Sequence, residues 1–229
     1  MFKDIVTDVF FDLDHTLWDF DKNSALTFEK IFFENDISID LNDFLEVYIP
    51  QNLAFWKLYR EERINKIDLR YQRLKTVFDI LGKSVSDETI NLLSNAYIAN
   101  LSSFDNLFPG TIEILEYLKG SYRLHIITNG FQEIQEKKMR NSNIHGYFDK
   151  IIDSEMAGVK KPNPIIFELA LKSANTIPDK SLMIGDNLEA DIQGAQAVGF
   201  HTMHFNAHSE AHHKLCPIIE HLHEIKTYL

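Results

Sequence analysis

The sequence contains a single cysteine, Cys216, so no disulfide bond can form within the chain. A reducing cytoplasm is therefore the expected environment. Cys216 stands beside Pro217 in a histidine-rich segment, and we predict an inert thiol. The chain also lacks a run of about 20 apolar residues, the length that a membrane-spanning helix needs. We expect neither a membrane span nor a signal peptide.

Basic residues are in the minority, because 23 Lys and Arg stand against 34 Asp and Glu, for a net charge of −11. Polymeric nucleic acids and anionic membranes reward clustered positive charge, so neither is an expected partner. A small anion remains compatible with this charge, since one local site can hold it. The nine glycines form neither a G-x-G-x-x-G pattern nor a Walker loop, so a phosphate group must be held in another way.

Residues 5–13 are rich in β-branched and aromatic side chains, which predicts a buried strand. The next ninety residues carry apolar positions at helical spacing and predict an all-helical unit. Its helices are expected at Ser24–Asn35, Leu41–Arg63, Asp68–Leu81 and Asp87–Leu101. The apolar positions that indicate the second and third of these helices are Leu45, Ile49, Leu53 and Trp56, then Leu69, Leu74, Val77 and Leu81.

From residue 108 onward, predicted helices and strands alternate, which indicates a parallel sheet with helices on both faces. Strands are expected at Arg123–Thr128, Lys150–Asp153, Ser181–Gly185 and His201–Phe205. The helices between them are expected at Thr111–Lys119, Phe131–Asn141, Pro164–Ala174 and Glu189–Val198. Together with the first strand, this pattern predicts a Rossmann-like α/β core of residues 1–17 and 104–229, with an inserted α-helical cap domain at 18–103.

Polar residues stand where the predicted strands end, and ligands of such sheets bind outside the carboxyl ends of the strands. Asp12 and Asp14 follow the first strand, Thr128 ends the second, and Asp186 follows the fourth. Lys161 stands in the loop after the third strand. Three aspartates, a threonine and a lysine are therefore expected at one edge.

This set of residues fits phosphoryl transfer. Asp12 and Asp14 point the same way on an extended chain, so one serves as nucleophile and the other as general acid. A cluster of three carboxylates favours a hard dication, and Mg²⁺ is the expected cofactor. The hydroxyl of Thr128 would hold a phosphate oxygen, and Lys161 would neutralise charge on the phosphate and on Asp12.

Four motifs in this order resemble those of the haloacid dehalogenase superfamily. They are Asp12-Leu13-Asp14-His15-Thr16, Thr128-Asn129, Lys161-Pro162, and Gly185-Asp186 through Asp191. The resemblance spans nearly the whole chain, and an insertion between the first two motifs implies a helical cap that closes over the substrate. It also disfavours dehalogenation, because dehalogenases of this fold lack the carboxylate that Asp14 supplies.

The resemblance implies a role for each matching residue. Asp12 attacks phosphorus and forms an aspartyl phosphate, Asp14 protonates the leaving group and then activates water, and Thr128, Asn129 and Lys161 complete the catalytic set. Mg²⁺ is held by the Asp12 carboxylate, the Asp14 backbone carbonyl and Asp186. Behind these ligands, Asp191 and Asn187 are expected to orient water or Lys161.

The predicted cap carries Gln51 to Tyr59, Ile67 to Arg70 and Arg73, and with Trp18 to Asp21 it is similar to pyrimidine 5′-nucleotidases that hydrolyse nucleoside monophosphates. The predicted partner is a small phosphorylated metabolite, and the chain is expected as a monomer or homodimer. Candidate substrate contacts are His15 at the site entrance, Trp18, Gly130 and Trp56. The seven histidines between His201 and His223 are expected in a solvated tail, because their spacing matches no standard metal-ligand pattern.

Three other functions remain open. The same core serves phosphatases for sugar phosphates or phosphoglycolate, which would differ only in the cap. A phosphomutase would share the aspartyl phosphate but shield it from water. A non-catalytic binding module is disfavoured, because a protein that needs only affinity has no reason to crowd Asp12, Asp14 and Asp186 together.

Overall fold

The computed structural model describes residues 2–229. The chain divides into an α/β unit, formed by the residues up to 20 with 105–229, and a helical unit of residues 21–104. The sequence predicts these boundaries after residues 17 and 103 instead. Residues 18–20 group with the α/β unit because the backbone of Leu17 and Trp18 pairs with the segment near residue 108. The Leu17 carbonyl accepts hydrogen bonds from the Phe108 N–H at 3.0 Å and the Thr111 hydroxyl at 3.1 Å.

The α/β unit is built on a parallel sheet that has six strands within the described residues. They are β1 (Asp8–Phe11), β2 (Arg123–Thr128), β3 (Lys150–Asp153), β4 (Ser181–Gly185), β5 (His201–Phe205) and β6 (Ile218–Ile219). Their spatial order is β3-β2-β1-β4-β5-β6, which confirms the predicted α/β fold. β1 is shorter than predicted, and the two-residue β6 was not predicted.

The order of the strands creates a switch point at β1. β1 pairs with β2 on one side and with β4 on the other, where Phe11 lies opposite Ile126 and Ile184. The chain reaches β2 from β1 and reaches β4 from β3. Loops that leave the carboxyl ends of β1, β2 and β4 therefore diverge around one crevice, where ligands of open α/β sheets bind.

Four helices form the helical unit, α1 (Phe20–Glu34), α2 (Leu41–Arg60), α3 (Lys66–Ile80) and α4 (Asp87–Leu101). The buried face of α3 contains Leu69, Leu74 and Val77, as predicted. The predicted face of α2 is wrong, because Leu53 is 47% exposed. The buried side chains of α2 are Phe44, Tyr48, Asn52 and Tyr59. This register follows from an aromatic cluster in which Phe44 and Tyr48 pack on Phe28.

Where the structure describes the α/β unit, it has five further α-helices, α5 (Thr111–Leu118), α6 (Gln132–Asn141), α7 (Ser154–Ala157), α8 (Pro164–Ala174) and α9 (Gly194–Ala197). A π-helix at Leu188–Gln193 precedes α9, where one continuous α-helix was predicted. The largest side chains of the core beneath the sheet are Phe10, Phe167 and Phe200, and burial of each contributes about 1.5–3 kcal/mol. Among the described residues, no helix combines the length and apolarity needed to cross a bilayer.

A buried ion cluster lies where the strands begin. Asp8 is 0% exposed, and its carboxylate accepts hydrogen bonds from His125 at 2.9 Å, Arg123 at 2.9 Å, Thr7 at 2.7 Å and Thr176 at 2.8 Å. Burial alone would raise the pKa of the Asp8 carboxyl, but these four donors lower it below its ordinary value. Asp8 therefore joins β1 to β2 and to the segment that follows α8.

The predicted solvated histidine tail is wrong for part of its length. His204 lies in β5 and is buried, and the chain beyond it returns to the sheet as β6 before a 3₁₀ helix at Leu222–Thr227. His208, His212, His221 and His223 are exposed. Cys216 is half-buried, and burial raises the pKa of its thiol, which disfavours the reactive thiolate.

Candidate active site

Four polar side chains meet at the carboxyl edge of the sheet. Asp12 follows β1, Thr128 ends β2, Asp186 follows β4, and Lys161 comes from the loop before α8. The structure thus brings together the residues that the sequence placed at the strand ends. Asp14 lies close enough for its charge to act on Asp12.

Lys161 is the centre of this cluster. It is 1% exposed, and its ammonium donates to the carboxylate of Asp12 at 2.7 Å and to the carbonyl of Ile127 at 2.5 Å. It also forms an ion pair with the Asp191 carboxylate at 2.7 Å. Burial alone would lower the pKa of the Lys161 ammonium, but Asp12 and Asp191 raise it above its ordinary value. Lys161 therefore stays charged beside Asp12.

Around Asp12 and Asp186, the site holds more negative charge than the ammonium of Lys161 neutralises. Burial, followed by the charges of Asp191 and Asp14, raises the pKa of Asp12 to about 7, although Lys161 lowers it. Burial and the charges of Asp191 and Asp12 raise the pKa of Asp186 well above its ordinary value. A divalent cation would relieve this repulsion.

Carboxylate oxygens of Asp12, Asp186 and Asp191 lie within 4.8 Å of one another. This all-oxygen donor set fits Mg²⁺, which prefers one or two carboxylates and otherwise keeps water. Asp191 is already engaged by Lys161 and by the Asn187 N–H at 3.0 Å. Asp12 and Asp186 are therefore the side chains that would hold the ion.

Asp186 is held in place by two contacts that the sequence did not predict. The hydroxyl of Thr16 donates to the Asp186 carboxylate at 3.2 Å, and the ring Nε2 of His204 lies 2.7 Å from the Asp186 backbone oxygen. His204 reaches this oxygen because β5 lies beside β4, where Gly185 pairs with His204. The predicted strand at His201–Phe205 placed His204 in the sheet but gave no sign of its contact with Asp186.

The loop after β4 depends on a glycine. A Cβ at Gly185 would lie 2.3 Å from the Asp191 carboxylate, so a larger residue would displace Asp191 from Lys161. The side chain of Asn187 accepts a hydrogen bond from the Ala190 N–H at 2.8 Å and caps the turn that carries Asp191. Asp191 therefore contacts Lys161, and Asn187 binds the backbone of the turn, while their role in orienting water or Lys161 stays a prediction.

Thr128 and Asn129, at the end of β2, make different contacts. The Thr128 hydroxyl accepts from the Gly130 N–H at 3.1 Å and from Gln135 at 2.8 Å, which leaves its O–H to donate. Asn129 binds the backbone of Lys161 twice, accepting from the N–H at 2.7 Å and donating to the carbonyl at 3.0 Å. Asn129 thereby positions the Lys161 loop.

Asp14 has two partners that the sequence analysis did not predict, both on α6. Lys138 donates to Asp14 Oδ1 at 2.6 Å, and Gln135 donates to Asp14 Oδ2 at 2.9 Å. Their spacing of three residues places both on one face of α6. The sequence predicted the helix but no contact between it and Asp14, so only the fold reveals these partners.

The other predicted substrate contacts lie in different surroundings. Trp18 is 0% exposed, and the Lys138 ammonium lies 4.2 Å from its ring centroid. This corrects its predicted role, because a buried ring has no face left for a substrate. The backbone of His15 has φ of 61°, and its ring lies 4.8 Å from that of Phe20. Trp56 lies on α2 of the helical unit, so its contact with a substrate stays a prediction.

Residues 9–199 match the family of haloacid dehalogenase-like hydrolases. The pyrimidine 5′-nucleotidase YjjG of Escherichia coli is 31% identical over 226 residues, which cover 96% of each chain. The glyceraldehyde 3-phosphate phosphatase of Pyrococcus abyssi is 33% identical and covers 86% of this chain and 80% of its own.

A solved structure agrees with the fold. The putative hydrolase YfnB of Bacillus subtilis, determined with bound magnesium, has a TM-score of 0.88 at 26% identity and covers 98% of each chain. The chain belongs to the haloacid dehalogenase-like hydrolase family. The predictions of this superfamily, of an enzyme in the hydrolase class and of a resemblance to pyrimidine 5′-nucleotidases are confirmed.

Proposed function

We propose that this chain is a Mg²⁺-dependent phosphomonoesterase that works through a phosphorylated Asp12 and acts on nucleoside monophosphates. The observation that carries the proposal is the Asp12 carboxylate, which Lys161 holds at 2.7 Å beside a second carboxylate, Asp186. A fixed carboxylate next to a buried cation and a metal-binding pair suits attack on a phosphate.

In the first half-reaction, an oxygen of Asp12 attacks phosphorus and the bond from phosphorus to the ester oxygen breaks. The leaving oxygen takes a proton from the Asp14 carboxyl and departs as an alcohol. Lys161 and the hydroxyl of Thr128 bind the phosphoryl oxygens as charge shifts toward them. When bound by Asp12 and Asp186, Mg²⁺ supplies charge neutralisation between carboxylate and phosphate.

In the second half-reaction, water attacks phosphorus of the aspartyl phosphate and gives a proton to Asp14. The bond from phosphorus to Asp12 breaks, which restores the Asp12 carboxylate and releases inorganic phosphate. Asp14 thus returns to the protonation state with which it began, and its carboxylate must face the phosphorus in both halves.

Removal of the metal is expected to stop turnover. Excess EDTA should abolish phosphate release, and added Mg²⁺ should restore it, because Asp12 and Asp186 then no longer repel the substrate phosphate. Mg²⁺ should also raise the midpoint of thermal unfolding of the metal-free protein by binding only the folded state. Full activity in excess chelator would contradict the proposal.

The substrate class rests on the similarity to YjjG, which covers 96% of the chain and therefore includes the helical unit. The glyceraldehyde 3-phosphate phosphatase matches at a comparable identity over a smaller share of the chain. A small sugar phosphate is therefore the second candidate, and it would use the same Asp12 chemistry.

A substrate panel separates these candidates. Phosphate release should be measured with UMP, dUMP, dTMP, AMP, GMP, phosphoglycolate, hexose phosphates, glyceraldehyde 3-phosphate and p-nitrophenyl phosphate. We expect the highest kcat/KM for the pyrimidine monophosphates. Preference for a sugar phosphate would retain the chemistry and reject the nucleotide. Transfer of the phosphate within a sugar would indicate a mutase, and no turnover of any ester would indicate a binding module.

A further inference from the structure

A buried lysine of the α/β unit lies behind the carboxyl group of Asp14. Lys138 on α6 is 2% exposed, and its ammonium lies 2.6 Å from Asp14 Oδ1. The same ammonium lies 4.2 Å from the ring centroid of Trp18 and 5.4 Å from that of Phe20. The buried Lys138 ammonium therefore contacts two aromatic rings as well as Asp14.

Stability alone gives a poor reason for a lysine at this position. Burial of an ammonium costs several kcal/mol, and an apolar side chain of similar length often stabilises a buried site equally well. The cation–π contacts offset part of this cost. The two partners of this ion pair differ in exposure, since the Lys138 side chain is 2% exposed and that of Asp14 is 21% exposed. The arrangement thus holds Asp14 from behind and leaves part of its carboxylate open.

Gln135 donates a second hydrogen bond to the same carboxylate. Its amide donates to Asp14 Oδ2 at 2.9 Å and lies 2.8 Å from the hydroxyl of Thr128. A Cβ at Gly130 would lie 2.3 Å from the Gln135 side chain, so glycine at this position allows Gln135 to cross the loop. Both oxygens of Asp14 are therefore bound by donors from α6, which fixes the plane of the carboxylate.

We propose that Lys138, with Gln135, is a positioning residue that holds the Asp14 carboxylate ready to take the proton from the attacking water. This inference rests on the proposed phosphatase chemistry and deepens it. The donors Lys138 and Gln135 fix the position of the Asp14 carboxyl group, which must face the attacking water when that water gives up its proton. Without Lys138, the Asp14 side chain would turn away, and hydrolysis of the phosphoenzyme would slow.

The choice of leaving group decides whether the first half-reaction needs Asp14, whereas the second half-reaction needs it with every substrate. p-Nitrophenolate departs without a proton, so phosphorylation of Asp12 by p-nitrophenyl phosphate does not need Asp14. Attack by water on the aspartyl phosphate needs the base whatever the substrate. Loss of the positioning residue should therefore leave the first half-reaction with this substrate nearly intact and slow the second.

Rapid mixing of Lys138→Met with p-nitrophenyl phosphate and Mg²⁺ tests this inference. We expect a burst of about one p-nitrophenolate per active site, followed by a steady state about 100-fold slower than in the unaltered enzyme. Acid-quenched protein from the steady state should gain the mass of one phosphoryl group. Lys138→Arg should restore most of the rate, because it keeps the charge.

Lys137→Met is the matched control, since it makes the same change at an exposed position of α6, and it should behave like the unaltered enzyme. Gln135→Leu removes the second donor and should give a smaller burst, which provides a test if Lys138→Met does not fold. If Lys138→Met slowed the burst and the steady state equally without accumulating a phosphoenzyme, or left the kinetics unchanged, the inference would be overturned. The proposed function would still stand. An unaltered enzyme that releases no phosphate would overturn the proposed function and the inference with it.

Discussion

Asp12→Asn is expected to lower phosphatase turnover at least about 10⁴-fold, which is the scale for removal of a nucleophile. The carboxamide has no charged oxygen to attack phosphorus, so no acyl phosphate forms. The Asn side chain keeps the size and can still accept the hydrogen bond from Lys161, so the fold should be retained. Phosphate release and the mass of acid-quenched protein measure this result. Appreciable turnover in the variant would show that another group is the nucleophile.

The same substitution is expected to stabilise the metal-free protein at neutral pH. Folding raises the pKa of Asp12 from 3.8 to about 7, so the folded protein binds this proton more tightly than the unfolded chain. The free energy of unfolding must then fall as pH rises through this window. The charged carboxyl costs the native state up to about 4 kcal/mol above pH 7, and Asn removes that cost.

Denaturant unfolding in EDTA checks the sign of this effect. The gain of Asp12→Asn should be largest near pH 8 and should vanish below about pH 3, where Asp12 is protonated in both states. Asp179→Asn, at an exposed position, is the control and should show no comparable change. Saturating Mg²⁺ should reduce the gain, since the ion binds the unaltered site more tightly. A variant that is less stable at every pH would contradict the inferred repulsion.

Asp8→Ala is expected to lower the free energy of unfolding by about 3–5 kcal/mol, as when one partner of a buried ion pair is removed. The change leaves His125, which is 0% exposed, and the donors from Arg123, Thr7 and Thr176 without their acceptor. Because folding lowers the pKa of Asp8, its contribution is present above the unfolded value of 3.8. The contribution is lost as pH falls through the folded value.

Denaturant unfolding at pH 7 and again at acid pH measures this loss. The difference between Asp8→Ala and the unaltered protein should shrink as pH falls below about 4. Asp179→Ala is the control, since this exposed position also lies near the start of β4, and it should change stability by about 0.5 kcal/mol or less. A difference that persists unchanged at acid pH would show that packing, and not the charge of Asp8, accounts for the loss.

Local pattern predicted the strands and most of the helices well. The Asp87–Leu101 helix begins and ends where Ser86 and the apolar spacing predicted. Strands Arg123–Thr128 and Ser181–Gly185 also match, because runs of β-branched and aliphatic residues bounded by polar loops leave few alternatives. The apolar face of α2 was wrong by one position, since Phe28 selects which side chains of α2 are buried.

The motif residues Asp12, Thr128, Lys161 and Asp186 were predictable because each stands at the end of a strand or in the segment after one. The carboxyl ends of parallel strands lie at one edge of the sheet. Lys138, Gln135 and His204 were not predictable, because a residue at an ordinary helix or strand position carries no local sign of its distant partner. Trp18 was assigned to a substrate for the same reason, since only packing shows that Lys138 covers its ring.

By itself, the sequence of this protein determined the α/β class, the edge at which the polar residues gather and the family. Those properties follow from short-range periodicity and from the order of motifs along the chain. The tertiary structure decided which charges meet, namely Lys161 with Asp12 and Asp191, Lys138 with Asp14, and His125 with Asp8. Such contacts join residues up to 149 positions apart, and burial then sets their pKa values, which no local pattern encodes.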